Sequence, residues 1–194
     1  MNPLDVIIFL GPPGSGKGTQ AEILTGKLKY FHISIGDLLR ENITKNTDLG
    51  KLAAKYVDSG ELVPDDLIIE LVNSSFNDLQ YQNSKFSGVI LDGFPRTINQ
   101  ASSLNSKIKD SGVSIKAALY LDISDEKIIS RLEGRGRKDD KPELIRNRLN
   151  VYRKQTEPLL NYYDEKNLLE PVNGDQDLKE VNNNILNVLK EKVI

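Results

Sequence analysis

The sequence predicts a three-layer α/β fold in which a five-stranded parallel sheet is flanked by helices. Three observations predict it. Short apolar, β-branched runs alternate with longer amphipathic stretches, the rhythm of βα units around a parallel sheet. The first such run, VIIFL at 6–10, leads straight into a glycine-rich turn and a helical pattern. The 194 residues, 38% of them hydrophobic, suffice to bury one substantial core, and one domain is the default.

In chain order, strands are expected over 6–10, 31–35, 89–91, 117–123 and 169–172. Helical patterns fall over 16–28, 36–44, 48–59, 65–76, 97–109, 125–133, 142–166 and 178–192. No internal repeat or low-complexity tract interrupts them, and the asparagine run at 182–184 sits within a helical pattern. Two stretches stand apart. Residues 36–64 hold two helices with no strand between them and read as a small projecting subdomain. Residues 134–141, GRGRKDDK, are too charged and glycine-rich for a core and read as a mobile loop. Both follow the carboxyl ends of predicted strands, where ligands of open α/β sheets bind. A single domain over 1–194 is therefore expected, its core made of 1–35, 65–133 and 142–194.

Composition removes several classes of function. A net charge of −2 and a pI near 5.6 argue against a nucleic-acid partner. With no cysteine, disulfides, thiolate nucleophiles and cysteine-bound zinc are out, and a single histidine, His32, builds no metal cluster. No window approaches the eighteen or more apolar residues of a membrane span. The start, MNPLD, lacks a basic region and a cleavage site, so a cytoplasmic location is expected.

The clearest motif is GPPGSGKGT at 11–19, between a predicted strand and a predicted helix. Glycines let backbone N–H groups approach phosphate oxygens with no Cβ in the way. The helix that follows adds unpaired N–H groups and its positive dipole end. Lys17 adds a full charge near the β and γ phosphates, which makes Gly14, Ser15, Gly16, Lys17, Gly18 and Thr19 the cradle of a P-loop. The pattern departs from the general one at Gly18, where Ser or Thr would meet magnesium; Thr19 comes one residue later.

A second segment, VILDGFPRT at 89–97, is a strand ending in a carboxylate, then a turn, then an arginine. Asp92 stands where a glycine-loop enzyme holds Mg2+ through water. Arg96 can fork onto a phosphate. Alone, each reads as a helix cap or a surface ion pair; together, after a glycine loop, they point to chemistry. Of eight arginines, five are Arg131, Arg135, Arg137, Arg146 and Arg148. A planar, permanently charged fork suits phosphates in transfer. Arg131, Arg137 and Arg148 are the candidates for that work, Arg146 and Arg153 suit a solvated helix face, and Arg135 fits either reading. His32 reads as structural, and the tyrosines as helix packing.

These residues resemble the adenylate kinase family over essentially the whole chain. The matching segments are GPPGSGKGTQ at 11–20, SIGDLLR at 34–40, DSGELVPDDL at 58–67, DGFPRTINQ at 92–100, GRKDD at 136–140 with RNRL at 146–149, and YRKQTEPLLNYY at 152–163. The resemblance is to the form with a short lid, here 134–141, and no zinc. It implies reversible transfer of the terminal phosphoryl group from ATP to AMP, giving two ADP, with Mg2+. Residues 14–19, Arg131, Arg135 and, near the donor adenine, Gln176 would bind ATP. Arg40, Arg96, Arg137 and Arg148 would grip the acceptor phosphate and the transferring group, with 36–64 as the acceptor subdomain. Ile35, Glu61, Leu62, Val63, Gly93, Phe94 and Pro95 would line the AMP site, with Gln100 on adenine's edge. Asp92 would hold the hydrated metal, while Asp139 and Asp140 would steady the arginines.

Nucleotides are thus the implied partners, with no nucleic acid or membrane, and a monomer is expected. One departure stands out. Family members acting on AMP usually carry threonine where this chain has Ile35, and those acting on UMP and CMP carry alanine. A UMP/CMP kinase, or an AMP kinase using GTP, is the alternative within the class. A non-catalytic nucleotide switch is the alternative outside it, though base-reading and switch motifs of the GTPase type are not found.

Overall fold

In the computed structural model, which describes residues 4–81, 86–109, 113–137 and 140–192, five strands form one parallel sheet. They are β1 (Leu4–Leu10), β2 (Tyr30–Ser34), β3 (Gly88–Asp92), β4 (Val113–Asp122) and β5 (Leu169–Asn173), in the order β2-β3-β1-β4-β5. β1 lies at the centre, and Val6 stands beside Val89 on one side and Ile115 on the other. Successive strand residues face opposite sides of a sheet, so an apolar run at the centre feeds two cores. Val6, Ile8 and Leu10 face the first core, Ile7 and Phe9 the second. Each such buried side chain contributes roughly 1.5–3 kcal/mol.

The helices divide between these faces. Against the first core pack α2 (Ile35–Thr44), α3 (Asp48–Ser59), α4 (Asp65–Tyr81), α5 (Ile98–Ile108) and α8 (Leu159–Asp164). α1 (Lys17–Thr25) and α9 (Leu178–Lys192) cover the second. A third, small cluster of Ile123, Ile128, Leu132, Ile145 and Leu149 joins α6 (Asp125–Arg135) to α7 (Pro142–Val151). The flanked parallel sheet is the expected fold. α2 and α3 also follow each other with no strand between, and a Cβ at Gly50 would lie 2.1 Å from the Asn42 carbonyl oxygen, so glycine permits their close crossing.

Three boundaries differ from expectation. Ile35 opens α2 rather than ending β2, because Ser34 caps the helix with its Oγ accepting from the Asp37 N–H at 3.3 Å. α6 runs on through Gly134 and Arg135, which therefore belong to a helix and not to the loop. The single helix expected over 142–166 is broken. After α7 comes a π-helical turn, Tyr152–Thr156, in which the Glu157 N–H reaches back to the Tyr152 carbonyl at 2.9 Å. Pro158 has no N–H for the Lys154 carbonyl, so a regular ladder cannot pass through it. Such π turns collect at functional sites.

Tyr163 packs in the first core with 0% exposure, and its hydroxyl has no hydrogen-bond partner. A buried polar group left unpaired costs stability. Tyr163→Phe should therefore keep the fold and raise the unfolding free energy by roughly 1 kcal/mol. Denaturant titration checks this, and a destabilised variant would contradict it.

Candidate active site

Between the end of β1 and the start of α1 the chain turns through Gly14 and Gly16, at φ of +85° and +95°, where L side chains are strained. A side chain at Gly14 would also meet Leu132 Cγ at 2.8 Å, so α6 rests directly on this loop. The Lys17 ammonium folds under the loop, donating to the Gly11 and Pro12 carbonyls, both at 2.8 Å, and to Ser15 Oγ at 3.2 Å. A phosphate oxygen offers such an ammonium a stronger partner than a carbonyl. Burial pulls the Lys17 pKa down to about 8; Asp92 opposes the shift, and Arg96, Arg148 and Arg135 add to it.

Asp92 ends β3, facing the loop. A Cβ at Gly18 would come 3.3 Å from Asp92 Oδ2, which gives a physical reason for glycine where Ser or Thr is usual. Burial works to raise the Asp92 carboxyl, but His32, Lys17 and Arg96 outweigh it and hold it below the usual carboxylate range. His32 Nε2 lies 3.7 Å from Asp92 Oδ2 and makes no hydrogen bond. Among the described residues, no group of three or more His, Cys, Asp or Glu is placed to hold a metal. One ionised carboxylate beside a phosphate loop nonetheless fits Mg2+, which keeps most of its shell as water and phosphate oxygen.

The arginines converge from separate elements. Arg131 on α6 donates from Nη1 to the Ser15 carbonyl at 3.2 Å and from Nη2 to the Gly174 carbonyl at 3.0 Å, tying the loop to the end of β5. Arg135 forks onto Asp140, with Nε to Oδ2 at 2.8 Å and Nη2 to Oδ1 at 2.5 Å. The Arg137 N–H donates to Asp140 Oδ2 at 3.2 Å, and Arg148 Nη1 to Oδ1 at 3.3 Å. Asp140 is thus buried at 8% exposure, although it follows a charged, glycine-rich stretch. Burial would raise its carboxyl, but these bonds and charges keep it low. Asp139 lies outside the described residues. Arg146 is exposed, and Arg153 pairs with Asp125 on the surface.

One cleft of about 530 Å³ brings together the loop residues 14–19, Arg40, Asp92, Gly93, Pro95, Arg96, Arg131, Arg135, Arg137, Arg148 and Gln176. A side pocket of about 80 Å³ adjoins it, lined by Ile35, Arg40, Glu61, Leu62, Val63, Gly93, Arg96, Gln100 and Arg148. Phe94 instead packs in the first core. Gln176 Oε1 accepts from Asn184 Nδ2 at 2.7 Å.

Sequence reasoning missed two features. Tyr152 and Thr156 of the π turn line the cleft, and Thr156 Oγ1 donates to the Arg96 carbonyl at 2.9 Å; only Pro158 hinted at a break. Asp65 accepts from Gln100 Nε2 at 2.7 Å, a pairing across 35 positions that no local spacing announces.

The Lys17 value has a testable consequence. Above pH 8 the unliganded protein loses the Lys17 proton, and a bound triphosphate must restore it. Affinity for ATP should therefore fall as pH rises past about 8, with proton uptake on binding. The unfolded chain holds this proton up to about 10.5, so in this window it binds more protons, and the group makes stability rise with pH. Calorimetry in buffers of different ionisation heat at pH above 8 checks the uptake, which Lys17→Met should abolish. Binding with no proton uptake in the unaltered protein would contradict the assignment.

A family model described as adenylate kinase matches residues 9–168, from β1 to the end of α8 and beyond. The adenylate kinase 1 of Nostoc sp. is 49% identical over 175 residues, 90% of this chain and 93% of its own. An adenylate kinase of Prochlorococcus marinus is 45% identical over 179 residues, 92% of this chain and 95% of its own. That of Lachnospira eligens is 40% identical over 214 positions, 94% of this chain and 99% of its own. The last alignment exceeds the 194 residues of this chain, so that relative carries residues this chain lacks. The matched span takes in the glycine loop, the Asp92 turn and the arginines around Asp140 together, and the chain belongs to the adenylate kinase family.

Proposed function

We infer that this chain carries out the family's transfer, ATP + AMP to two ADP, in the cleft between the glycine loop and the arginines. The observation that carries this reading is convergence: Lys17, Arg40, Arg96, Arg131, Arg137 and Arg148 line one cleft beside one ionised carboxylate. Two phosphate chains meeting end to end bring enough negative charge for so many cations.

The donor triphosphate takes the loop N–H groups, and Lys17 exchanges its loop carbonyls for phosphate oxygens. Arg131 reaches the donor from the side, while Arg40, Arg96, Arg137 and Arg148 seat the acceptor phosphate. An AMP phosphate oxygen then attacks the γ-phosphorus in line as the bond to the β-phosphate bridging oxygen breaks, and ADP departs. No side chain needs to be the nucleophile. Positioning and charge stabilisation supply the catalysis. Mg2+, held by Asp92 through water, would neutralise phosphate charge when bound.

The acceptor base enters the side pocket, with Ile35 on its wall and Gln100 at its edge. Residues 36–64 and the short lid that follows α6 close over the nucleotides and exclude water, which protects the triphosphate from hydrolysis.

Two expectations test this reading. Lys17→Met should lower kcat by at least roughly 10²-fold. Lysine at 131, 137 or 148 should fail by on the order of 10³-fold, since a point charge cannot reproduce the fork. Arg146→Ala and Arg153→Ala should stay near wild type; equal small effects at all five arginines would reduce the cluster to a solvated face.

AMP should also remain the preferred acceptor despite Ile35. A missing polar wall contact costs about 0.5–1.5 kcal/mol, whereas a pyrimidine edge that mispairs the spare lone pair and spare proton of the Gln100 amide costs roughly 1–3 kcal/mol. Ile35→Thr should lower the KM for AMP, and kcat/KM for AMP should exceed that for CMP and UMP. A higher value for either pyrimidine would overturn the acceptor assignment and leave the phosphotransfer standing.

A further inference from the structure

Gln100 is 1% exposed, and its side-chain amide is bonded at both ends. Oε1 accepts from the Arg96 backbone N–H at 2.8 Å, and Nε2 donates to Asp65 Oδ1 at 2.7 Å. The other Asp65 oxygen, Oδ2, accepts from Thr97 Oγ1 and from Asn99 Nδ2, each at 2.9 Å. Thr97 Oγ1 already accepts from the Gln100 N–H at 3.1 Å, which leaves its proton for Asp65. All three groups around Asp65 are therefore donors. Only a carboxylate accepts from all of them; an amide would set an NH2 against at least one.

We propose that Asp65 is a positioning residue that locks the Gln100 amide in one orientation, so that the acceptor pocket takes 6-aminopurine monophosphates and refuses 6-oxopurine ones. The inference rests on the reading that Gln100 meets the acceptor base. A 6-aminopurine edge offers an N–H beside a ring-nitrogen acceptor; a 6-oxopurine edge of the same size and shape offers the reverse. A free glutamine serves both by turning over. This one cannot. Turned over, its NH2 would face the Arg96 N–H and its oxygen would face a carboxylate. The spare lone pair on Oε1 and the spare proton on Nε2 thus stay in fixed order for the ligand. Asp65 touches no reacting atom; it acts through Gln100.

The test compares AMP with IMP, which differ only at this edge, in the unaltered protein, in Asp65→Asn and in Asp65→Ala. Asp66→Asn, an exposed neighbour in the same first helical turn, controls for the loss of charge there. In both Asp65 variants kcat/KM for AMP should fall through KM, and the AMP-to-IMP ratio should narrow by about tenfold, the effect of one mispaired polar contact. The KM for ATP should not move, and Asp66→Asn should keep the ratio.

A ratio within about twofold of wild type in a folded Asp65 variant overturns the proposal, because a purely structural role would lower both activities alike. Gln100→Ala separates the two readings. If it leaves the KM for AMP unchanged, the base-reading role itself falls; if it raises that KM while the Asp65 variants keep the ratio, only the lock falls. Should neither variant fold, NMR of the unaltered protein decides. The Gln100 side-chain NH2, assigned by its loss in Gln100→Ala, should be held and slow to exchange without nucleotide, and a freely rotating amide overturns the lock.

Discussion

The site depends on two ionised carboxylates that keep a crowd of cations together before any phosphate arrives. Lys17 and the arginines around the cleft repel one another, and Lys17 shows the strain, its pKa drawn down to about 8 by burial with Arg96, Arg148 and Arg135 adding to it. Asp92 opposes that shift from the end of β3, while Asp140 takes the fork of Arg135, a bond from Arg148 and the backbone of Arg137. Both carboxyls are held in their charged form although burial works against it. Backbone carbonyls do the rest: Gly11 and Pro12 hold Lys17, and Ser15 and Gly174 hold Arg131. These are partners that a phosphate can replace at little cost, since each cation exchanges one acceptor for another.

How much of this was legible in the sequence follows from the range of the forces involved. The strands and the glycine loop were legible because they rest on local facts: β-branched apolar runs, and glycines where φ must be positive. The placing of Arg131, Arg137 and Arg148 on one cleft was legible from their concentration and from the resemblance. Asp140 was harder. Its surroundings in GRKDDK read as solvated, and burial came only from three arginine groups closing on it. Phe94 sits in a motif that faces the cleft, yet its neighbours Gly93 and Pro95 line that cleft while its own ring fills the first core. The broken helix after Val151 was marked by Pro158, but periodicity continued across it and hid the π turn.

The arrangement of cores divides the site among separately packed parts. The first core carries α2 through α5 and α8, the second carries α1 and α9, and both are built on β1 and its neighbours. The glycine loop leaves β1 at the sheet's carboxyl edge, so its position is fixed by strands that are buried on both faces. α2 and α3 hang on the first core alone. Arg131, Arg135 and Arg148 ride on α6 and α7, which share the small cluster of Ile123, Ile128, Leu132, Ile145 and Leu149.

That third cluster gives the arginines their common frame. Because Leu132 lies against Gly14, a shift of α6 is felt at once by the glycine loop. Because Arg131 bonds the Ser15 carbonyl, the same helix also reports on whether the loop is engaged. Packed cores resist continuous deformation, and separate small clusters are where a fold can pivot. A pivot at the α6–α7 cluster would move Arg135, Arg148 and their shared Asp140 as one unit, and it would leave α1 and β3, which carry Lys17 and Asp92, in place. The carboxylate that gathers the arginines thus travels with them, so closure need not uncover a buried, unpaired charge, the one change such a cleft could least tolerate.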